Sequence, residues 1–149
     1  MKKFKFRLQK VADTKARQEK QKSVELANLF MELETEKQAL QNLNFELESV
    51  QQEVFGKTVT GAPAKEILEY QRYIEKLQQD IRAQQQRILN LEEKVEQVQA
   101  ELLKINKEKK ILDRLREKRY LKYLQEQSRE EQKLLDEMFH LTQAFKQKL

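Results

Sequence analysis

The sequence contains no cysteine and no tryptophan, and only two glycines, one proline and one histidine occur in its 149 residues. Without cysteine there are no disulfides and no thiolate metal ligands. The single histidine, His140, has no second imidazole with which to share a metal, so we expect no metal site and no cofactor. Runs of 18 apolar residues and the apolar core of a secretory signal are also missing, so we expect a cytoplasmic protein without a transmembrane segment.

Charged residues make up 37% of the chain and aromatic residues 7%. Glutamate, lysine and arginine favour helices, and so do leucine and glutamine, which are the commonest uncharged residues of the chain. This composition is typical of long helices or a coiled coil, whereas a chain this polar without periodic apolar residues would be disordered.

Apolar residues recur every seventh position in two stretches, and each stretch has a companion series. The first stretch contains Leu26, Leu33, Leu40, Leu47 and Val54, with Leu29, Leu43 and Val50. The second contains Ile67, Ile74, Ile81, Ile88, Val95 and Leu102, with Tyr70, Leu77, Leu91, Val98, Ile105 and Leu112. Glu36 and Gln84 interrupt the companion series. A repeat of this period predicts a coiled coil and argues against disorder.

All three helix breakers, Gly56, Gly61 and Pro63, lie within eight positions between the two stretches. We predict helix 1 over about 4–55, ended by Gly56 at positive φ, a turn over about 56–63, and helix 2 over about 64–147. A single kinked helix would need less disruption than these three residues provide. The expected fold is all-α, a single domain over 1–149 that forms a long antiparallel two-helix coiled-coil hairpin.

A turn centred near residue 60 places position i opposite position 120 − i. The predicted start of helix 1 near Phe4 then lies opposite Arg116, so helix 2 has no partner beyond that position. Lys109, Arg116 and Arg119 occupy the next seam positions, which fits the end of the apolar repeat. We therefore predict a C-terminal helical overhang over about 117–149. Its apolar residues offer a surface to a partner, and we expect it to fray in the free protein.

The net charge of +5 is unevenly distributed. Residues 1–22 carry nine basic and two acidic residues, and residues 104–122 carry nine and three. The hairpin brings these two basic runs together, which suits an acidic protein, an anionic membrane or a nucleic acid. Charged residues at seam positions, Lys15, Glu19 and Lys22, predict that this end of the coiled coil is loosely zipped.

The sequence gives no sign of catalysis. Acidic and basic residues alternate as they do on solvated helices, and two paired helices form no concave pocket in which to desolvate a reacting group. We therefore expect a protein that acts by presenting surfaces and is not an enzyme.

Three segments resemble the FliJ proteins of the bacterial flagellar export apparatus. They are FKFRLQKVADTK at residues 4–15, EILEYQRYIEKLQQDI at 66–81 and KKILDRLREKRYLKYLQEQSREEQKLLDE at 109–137. The resemblance covers essentially the whole chain. It implies an antiparallel coiled coil similar to that of the gamma subunit, the central stalk of rotary ATPases.

The resemblance also implies partners. Family members bind the hexameric FliI-like export ATPase, promote its ring assembly and activity, couple it to the cytoplasmic domain of the FlhA-like export gate, and escort export chaperones. This implies a cytoplasmic protein peripherally associated with the inner-membrane export apparatus. Stalk proteins of virulence injectisomes share the architecture, and the F-x-F start is what favours the flagellar system.

Two sets of site residues follow from the resemblance. For gate-protein binding they are Tyr70, Tyr73 and Leu77, of which Leu77 also occupies a core position of the coiled coil. For ATPase binding they are Arg114, Arg116, Lys118, Arg119, Tyr120, Tyr123, Lys2, Lys3, Lys5 and Arg7.

Two other interpretations stay open. A basic coiled coil that binds nucleic acid would lose affinity steeply with salt, but the sequence shows no aromatic platform or known nucleic-acid module, so we expect no such partner. A scaffold of two chains paired with each other would have twice the mass of one chain. The hairpin predicts a monomer near 18.0 kDa in dilute solution.

Overall fold

The computed structural model describes residues 2–148, which form two long α-helices and no strand. Helix α1 spans Gln9–Val59 and helix α2 spans Ala64–Gln147. The predicted all-α antiparallel coiled coil is confirmed. The chain separates into two compact units: unit 1 comprises residues 2–20 and 103–148, and unit 2 comprises Gln21–Leu102. A single domain over 1–149 stays a prediction.

Helix α1 begins at Gln9, five residues later than predicted, and an irregular segment precedes it. Residues 2–7 read KKFKFR, in which phenylalanine alternates with basic residues. That alternation suits an extended segment with one face packed and one face solvated. Phe6 is buried, and its carbonyl accepts a hydrogen bond of 3.0 Å from the Gln9 amide, which starts the first helical turn.

Gly61, and not Gly56, ends helix α1. Gly56 lies inside the helix, so its predicted role at the helix end is wrong, whereas Gly61 has φ +80°. The Ala62 amide donates to the Lys57 carbonyl at 3.0 Å, and the Gly61 amide donates to the Thr58 carbonyl at 3.3 Å. This is a Schellman motif, which requires a left-handed residue at the position that Gly61 occupies.

The two glycines predict opposite effects on stability. Gly56→Ala should raise the free energy of unfolding by about 0.5–1 kcal/mol, because a helical alanine loses less backbone entropy than a glycine. Nothing lies within 4 Å of the added methyl group. Gly61→Ala should lower it by about 1–2 kcal/mol, because the left-handed conformation strains an L side chain. Urea denaturation of both variants measures the difference; a gain from both would contradict the assignment of the turn.

Unit 2 is a helical hairpin with an apolar seam that one polar layer interrupts. Leu33 of α1 lies in one buried cluster with Ile88, Leu91 and Val95 of α2, against which Leu26, Leu29 and Leu40 pack. Leu77, Ile81 and Val98 extend the buried series along α2. These are the residues that the seven-residue repeat predicts, so the period alone located the core.

The two polar interruptions of the repeat meet each other in unit 2. Gln84 is buried, and its side-chain amide donates to the Glu36 carbonyl at 3.0 Å and to the Glu36 carboxylate. The buried amide is therefore satisfied. A paired polar layer costs stability relative to leucine, but it favours the one register in which Gln84 and Glu36 lie opposite each other.

Charged residues at seam positions of α1 also find partners. In unit 2 the Lys22 ammonium lies 2.6 Å from the Glu101 carboxylate. In unit 1 Lys15 pairs with Glu108, and Lys109 lies 3.4 Å from Glu19. Partly exposed pairs of this kind contribute little net stability. A loosely zipped seam therefore stays a prediction.

In unit 1 the seam of α2 departs from the predicted positions beyond Leu112. Leu115 is half-buried, whereas Arg116 and Arg119 are exposed, so the predicted seam positions of the two arginines are wrong; Tyr123, which continues the seven-residue series of Leu102, is half-buried. The irregular N-terminal segment continues the packing as far as Tyr123. These contacts reach beyond Arg116, the position near which the pairing was predicted to end. Residues 128–148 are all exposed, so the overhang begins about ten residues later than predicted.

Candidate interaction surfaces

The residues assigned to the ATPase lie in unit 1 and those assigned to the gate lie in unit 2. Among residues 2–148 no group of three or more histidine, cysteine or acidic residues is arranged to hold a metal ion. The residues assigned to the two partners are mostly exposed, and Leu77 is the buried exception.

Three aromatic rings hold the N-terminal segment on α2 in unit 1. The Phe4 ring meets Tyr120 edge-on at a centroid distance of 5.2 Å and lies 5.5 Å from Tyr123. The Tyr123 hydroxyl donates to the Lys2 carbonyl. Aromatic pairs at such distances stabilise beyond the area they bury. We call Phe4, Tyr120 and Tyr123 the aromatic clamp.

The aromatic clamp gathers basic side chains around one shallow groove. Lys2, Lys3 and Lys5 line it from the N-terminal segment, and Arg119 and Lys122 line it from α2. Glu126 is the one acidic residue that lines this groove, and Glu130 lies with Lys2 and Glu126 in an adjoining groove. Five cations and one carboxylate create a positive potential that favours an anionic partner. We call these five basic residues the basic groove.

The basic groove contains only part of the predicted ATPase set. Arg116 and Tyr120 line a neighbouring groove that also contains Asp113 and Glu117. Arg7, Arg114 and Lys118 are exposed but line neither groove. Neither Lys122 nor Phe4 was predicted to belong to this surface. Phe4 could have been predicted from the alternation of phenylalanine with basic residues in 2–7.

The residues assigned to the gate differ in accessibility. The Tyr70 hydroxyl donates to the Glu53 carboxylate at 3.0 Å, and the Lys57 ammonium lies 5.3 Å from the Tyr70 ring centroid. Tyr73 is 40% exposed, whereas Leu77 is only 3% exposed and belongs to the core. A partner that docks on the intact hairpin can reach Tyr73 but not Leu77.

The Tyr73 hydroxyl donates to the Glu46 carboxylate, and this hydrogen bond, followed by partial desolvation, raises the pKa of Tyr73 above its ordinary value of 10.0. Because the pKa of Tyr73 is raised in the folded state, its hydrogen bond to Glu46 contributes fully to stability below the unfolded-state pKa. That contribution is lost as the pH rises through the folded-state pKa. Glu46→Gln should therefore lower the pKa of one tyrosine. Ultraviolet titration of phenolate formation measures this, and identical titrations of both proteins would contradict the contact.

Helix α1 carries an outward-facing strip without charge, which sequence reasoning missed. Eleven exposed positions at helical spacing contain no charged residue, in a chain that is 37% charged. They are Val24, Asn28, Met31, Thr35, Gln38, Asn42, Phe45, Ser49, Gln52, Gly56 and Val59. Phe45 is 74% exposed. We call these residues the uncharged face; its exposed apolar members are Val24, Met31, Phe45 and Val59, which makes it a candidate binding surface.

Within unit 2, the charged residues of α1 that border the uncharged face are acidic. Glu25, Glu32, Glu46 and Glu53 lie along one edge, and Glu34 and Glu48 lie along the other. The surface suits a partner with an apolar contact area and basic residues around it. Its signal in the sequence is a period of seven in uncharged residues, on the side of α1 opposite the leucine seam.

The chain matches the family described as the flagellar FliJ protein over residues 4–149. No curated protein and no solved structure matches it significantly. Within the described residues, neither helix has a stretch apolar and long enough to cross a membrane.

Proposed function

Because the chain belongs to the flagellar FliJ protein family and is therefore a component of the flagellar export apparatus, we propose that it is the central stalk of the export ATPase. In this proposal unit 1 binds the hexameric ATPase and promotes its ring assembly and activity. Unit 2 binds the cytoplasmic domain of the export gate, which would hold the protein at the inner membrane.

The observation that carries the ATPase proposal is the basic groove beside an unpartnered helix. Lys2, Lys3 and Lys5 are exposed and lie next to Arg119 and Lys122. Residues 128–148 continue the same helix with exposed leucine, methionine and phenylalanine. A ring lined by acidic residues would attract the groove, and an apolar channel would bury the helix.

The gate proposal rests on a different surface, the uncharged face of α1. Tyr73 of α2 lies at its acidic border, because its hydroxyl binds Glu46. A gate domain with apolar side chains surrounded by lysine or arginine would contact Phe45 and Met31 and pair with the bordering glutamates. Leu77 is buried in the core and takes no direct part in this surface.

The FliJ family is a structural and export family rather than an enzyme family. We propose accordingly that the chain catalyses no reaction and changes the rate of the ATPase by binding it. Escort of unloaded export chaperones belongs to the same proposal, with the exposed apolar residues of 128–148 as the surface available to them.

The test is ATP hydrolysis by the flagellar export ATPase with and without the protein, with ring assembly followed by sedimentation. We expect stimulation by the full chain and its loss in a truncation that ends at Gln127. This truncation preserves the aromatic clamp, because Phe4, Tyr120 and Tyr123 all remain.

Phe45→Glu is the control, since it changes an exposed residue of unit 2 and should leave stimulation intact. Absence of binding and of stimulation by the full chain would overturn the ATPase proposal. Full stimulation by the truncation would restrict the interaction to the basic groove and remove the overhang from it.

A further inference from the structure

The C-terminal part of α2 has an apolar seam but no partner helix within the described chain. Residues 128–148 are all exposed. Leu134, Met138, Leu141 and Phe145 follow one another at spacings of four, three and four residues. This is the spacing of the buried seam in unit 2, so the segment has the pattern of one half of a coiled coil.

We propose that residues 131–148 of two copies of this chain pair with each other as an antiparallel coiled coil. The proposal goes beyond the stalk function, because it needs neither the ATPase nor the gate. It commits to a second copy since the segment is complementary to itself in this orientation, both in its apolar layers and in its charge.

The apolar layers match when the two copies run in opposite directions about a point between Phe139 and His140. Leu134 then lies opposite Phe145 of the second copy, and Met138 lies opposite Leu141 of the second copy. The two-fold axis repeats both layers, which gives four apolar layers in all. A large side chain faces a smaller one in the outer layers, as interdigitated packing requires.

The charges of the segment are complementary only in the antiparallel orientation. Residues 130–137 contain four acidic residues and one lysine, whereas residues 138–148 contain two lysines and no acidic residue. Antiparallel pairing places the acidic half against the basic half. It also places Glu131 opposite Lys148 of the second copy, in the layer beyond Leu134 and Phe145. Parallel pairing would place like charges together.

The association should be weak. A segment of 18 residues is close to the lower limit for a stable helix in water, and four apolar layers form a small interface. We therefore expect a monomer in dilute solution and a dimer in reversible equilibrium at high concentration. Amide protection in residues 131–148 should rise with concentration, while protection in unit 2 should not change.

Sedimentation equilibrium of the full chain from micromolar to millimolar concentration tests the proposal. The mass should rise from 18.0 kDa toward twice that value. Phe145→Ser should raise the dissociation constant at least about tenfold, since the symmetry removes two buried rings. Phe139→Ser is the matched control, because Phe139 is 60% exposed, as Phe145 is 68% exposed, but lies outside the seam. A constant mass, or an equal effect of both substitutions, would overturn the proposal.

Cysteine cross-linking tests the orientation, because the chain has no cysteine of its own. Leu134→Cys and Phe145→Cys proteins, one of them tagged, should form a mixed disulfide when combined at high concentration. Either protein alone should cross-link poorly, because its two cysteines would lie about 16 Å apart along the helix. Efficient cross-linking of each protein with itself, without the mixed product, would indicate parallel pairing and overturn the antiparallel arrangement.

Discussion

Replacing Lys2, Lys3 and Lys5 by glutamate should weaken binding of the export ATPase at least about 100-fold. The three lysines form the N-terminal side of the basic groove, opposite Arg119 and Lys122. Their reversal turns attraction of an anionic surface into repulsion and changes the local charge by six. Phe4 and Phe6 stay in place, so the N-terminal segment should remain packed on α2. Fluorescence anisotropy or surface plasmon resonance measures the affinity.

The matched control reverses three exposed lysines of unit 2, Lys65, Lys76 and Lys94. This variant has the same net charge as the first, but its basic groove is intact. We expect it to bind the ATPase nearly as well as the unaltered protein. An equal loss in both variants would mean that net charge, and not the basic groove, governs the interaction. Binding of the unaltered protein should also weaken with salt, because exposed charges are screened.

Phe45→Glu should weaken binding of the gate domain at least about 100-fold without affecting stability. Phe45 is exposed in the middle of the uncharged face, so the substitution leaves the core of unit 2 unchanged. In a complex, the new carboxylate would be buried against apolar side chains without a partner, which is costly. Isothermal titration calorimetry measures the affinity, and thermal unfolding checks that the fold is retained.

The control for this prediction is Leu89→Glu. Leu89 is an exposed apolar residue of α2 in the same unit, and it lies outside the uncharged face. It should leave gate binding within about threefold of the unaltered value, as expected for a residue outside an interface. Equal losses from the two substitutions would contradict the assignment of α1 as the docking helix.

The coiled coil could be predicted from the sequence because its core obeys one rule over many turns. A seven-residue repeat identifies the buried side of each helix, and the clustering of Gly56, Gly61 and Pro63 indicates a turn nearby. The choice between the two glycines depended on the exact hydrogen bonds at the helix end, which composition does not determine. The contact of Gln84 with Glu36 follows from the pivot near residue 60, because those positions lie opposite each other.

The N-terminal segment was harder to predict, because two signals competed there. The hydrophobic and basic residues of 2–7 are acceptable in a helix, but Phe4 and Phe6 alternate as in an extended chain. Packing decides between the two, and the residues that decide it, Tyr120 and Tyr123, lie more than 100 positions away. The start of the overhang was wrong because Lys2 and Phe4 contact α2 as far as Tyr123, seven positions beyond Arg116.

The interaction surfaces were predictable to different degrees. Basic residues concentrated in two runs indicated a positive region, but only the packing of Phe4 shows which of them share a groove. Of the residues assigned to the gate, Tyr73 is exposed and Leu77 lies in the core position that the repeat predicts for it. The uncharged face needed only the sequence, since a run of uncharged positions at helical spacing is visible once the seam of α1 is known.

Hydrogen–deuterium exchange of the chain, alone and with the ATPase hexamer, tests the central claim most directly. In the free monomer, residues 128–148 have no packing partner and should exchange fast. Binding to the ATPase should protect residues 2–7 and 128–148 of unit 1, and leave the exchange of residues 24–59 of unit 2 unchanged. Protection confined to residues 24–59, with fast exchange throughout 128–148 in the complex, would contradict a stalk that enters the ATPase through unit 1.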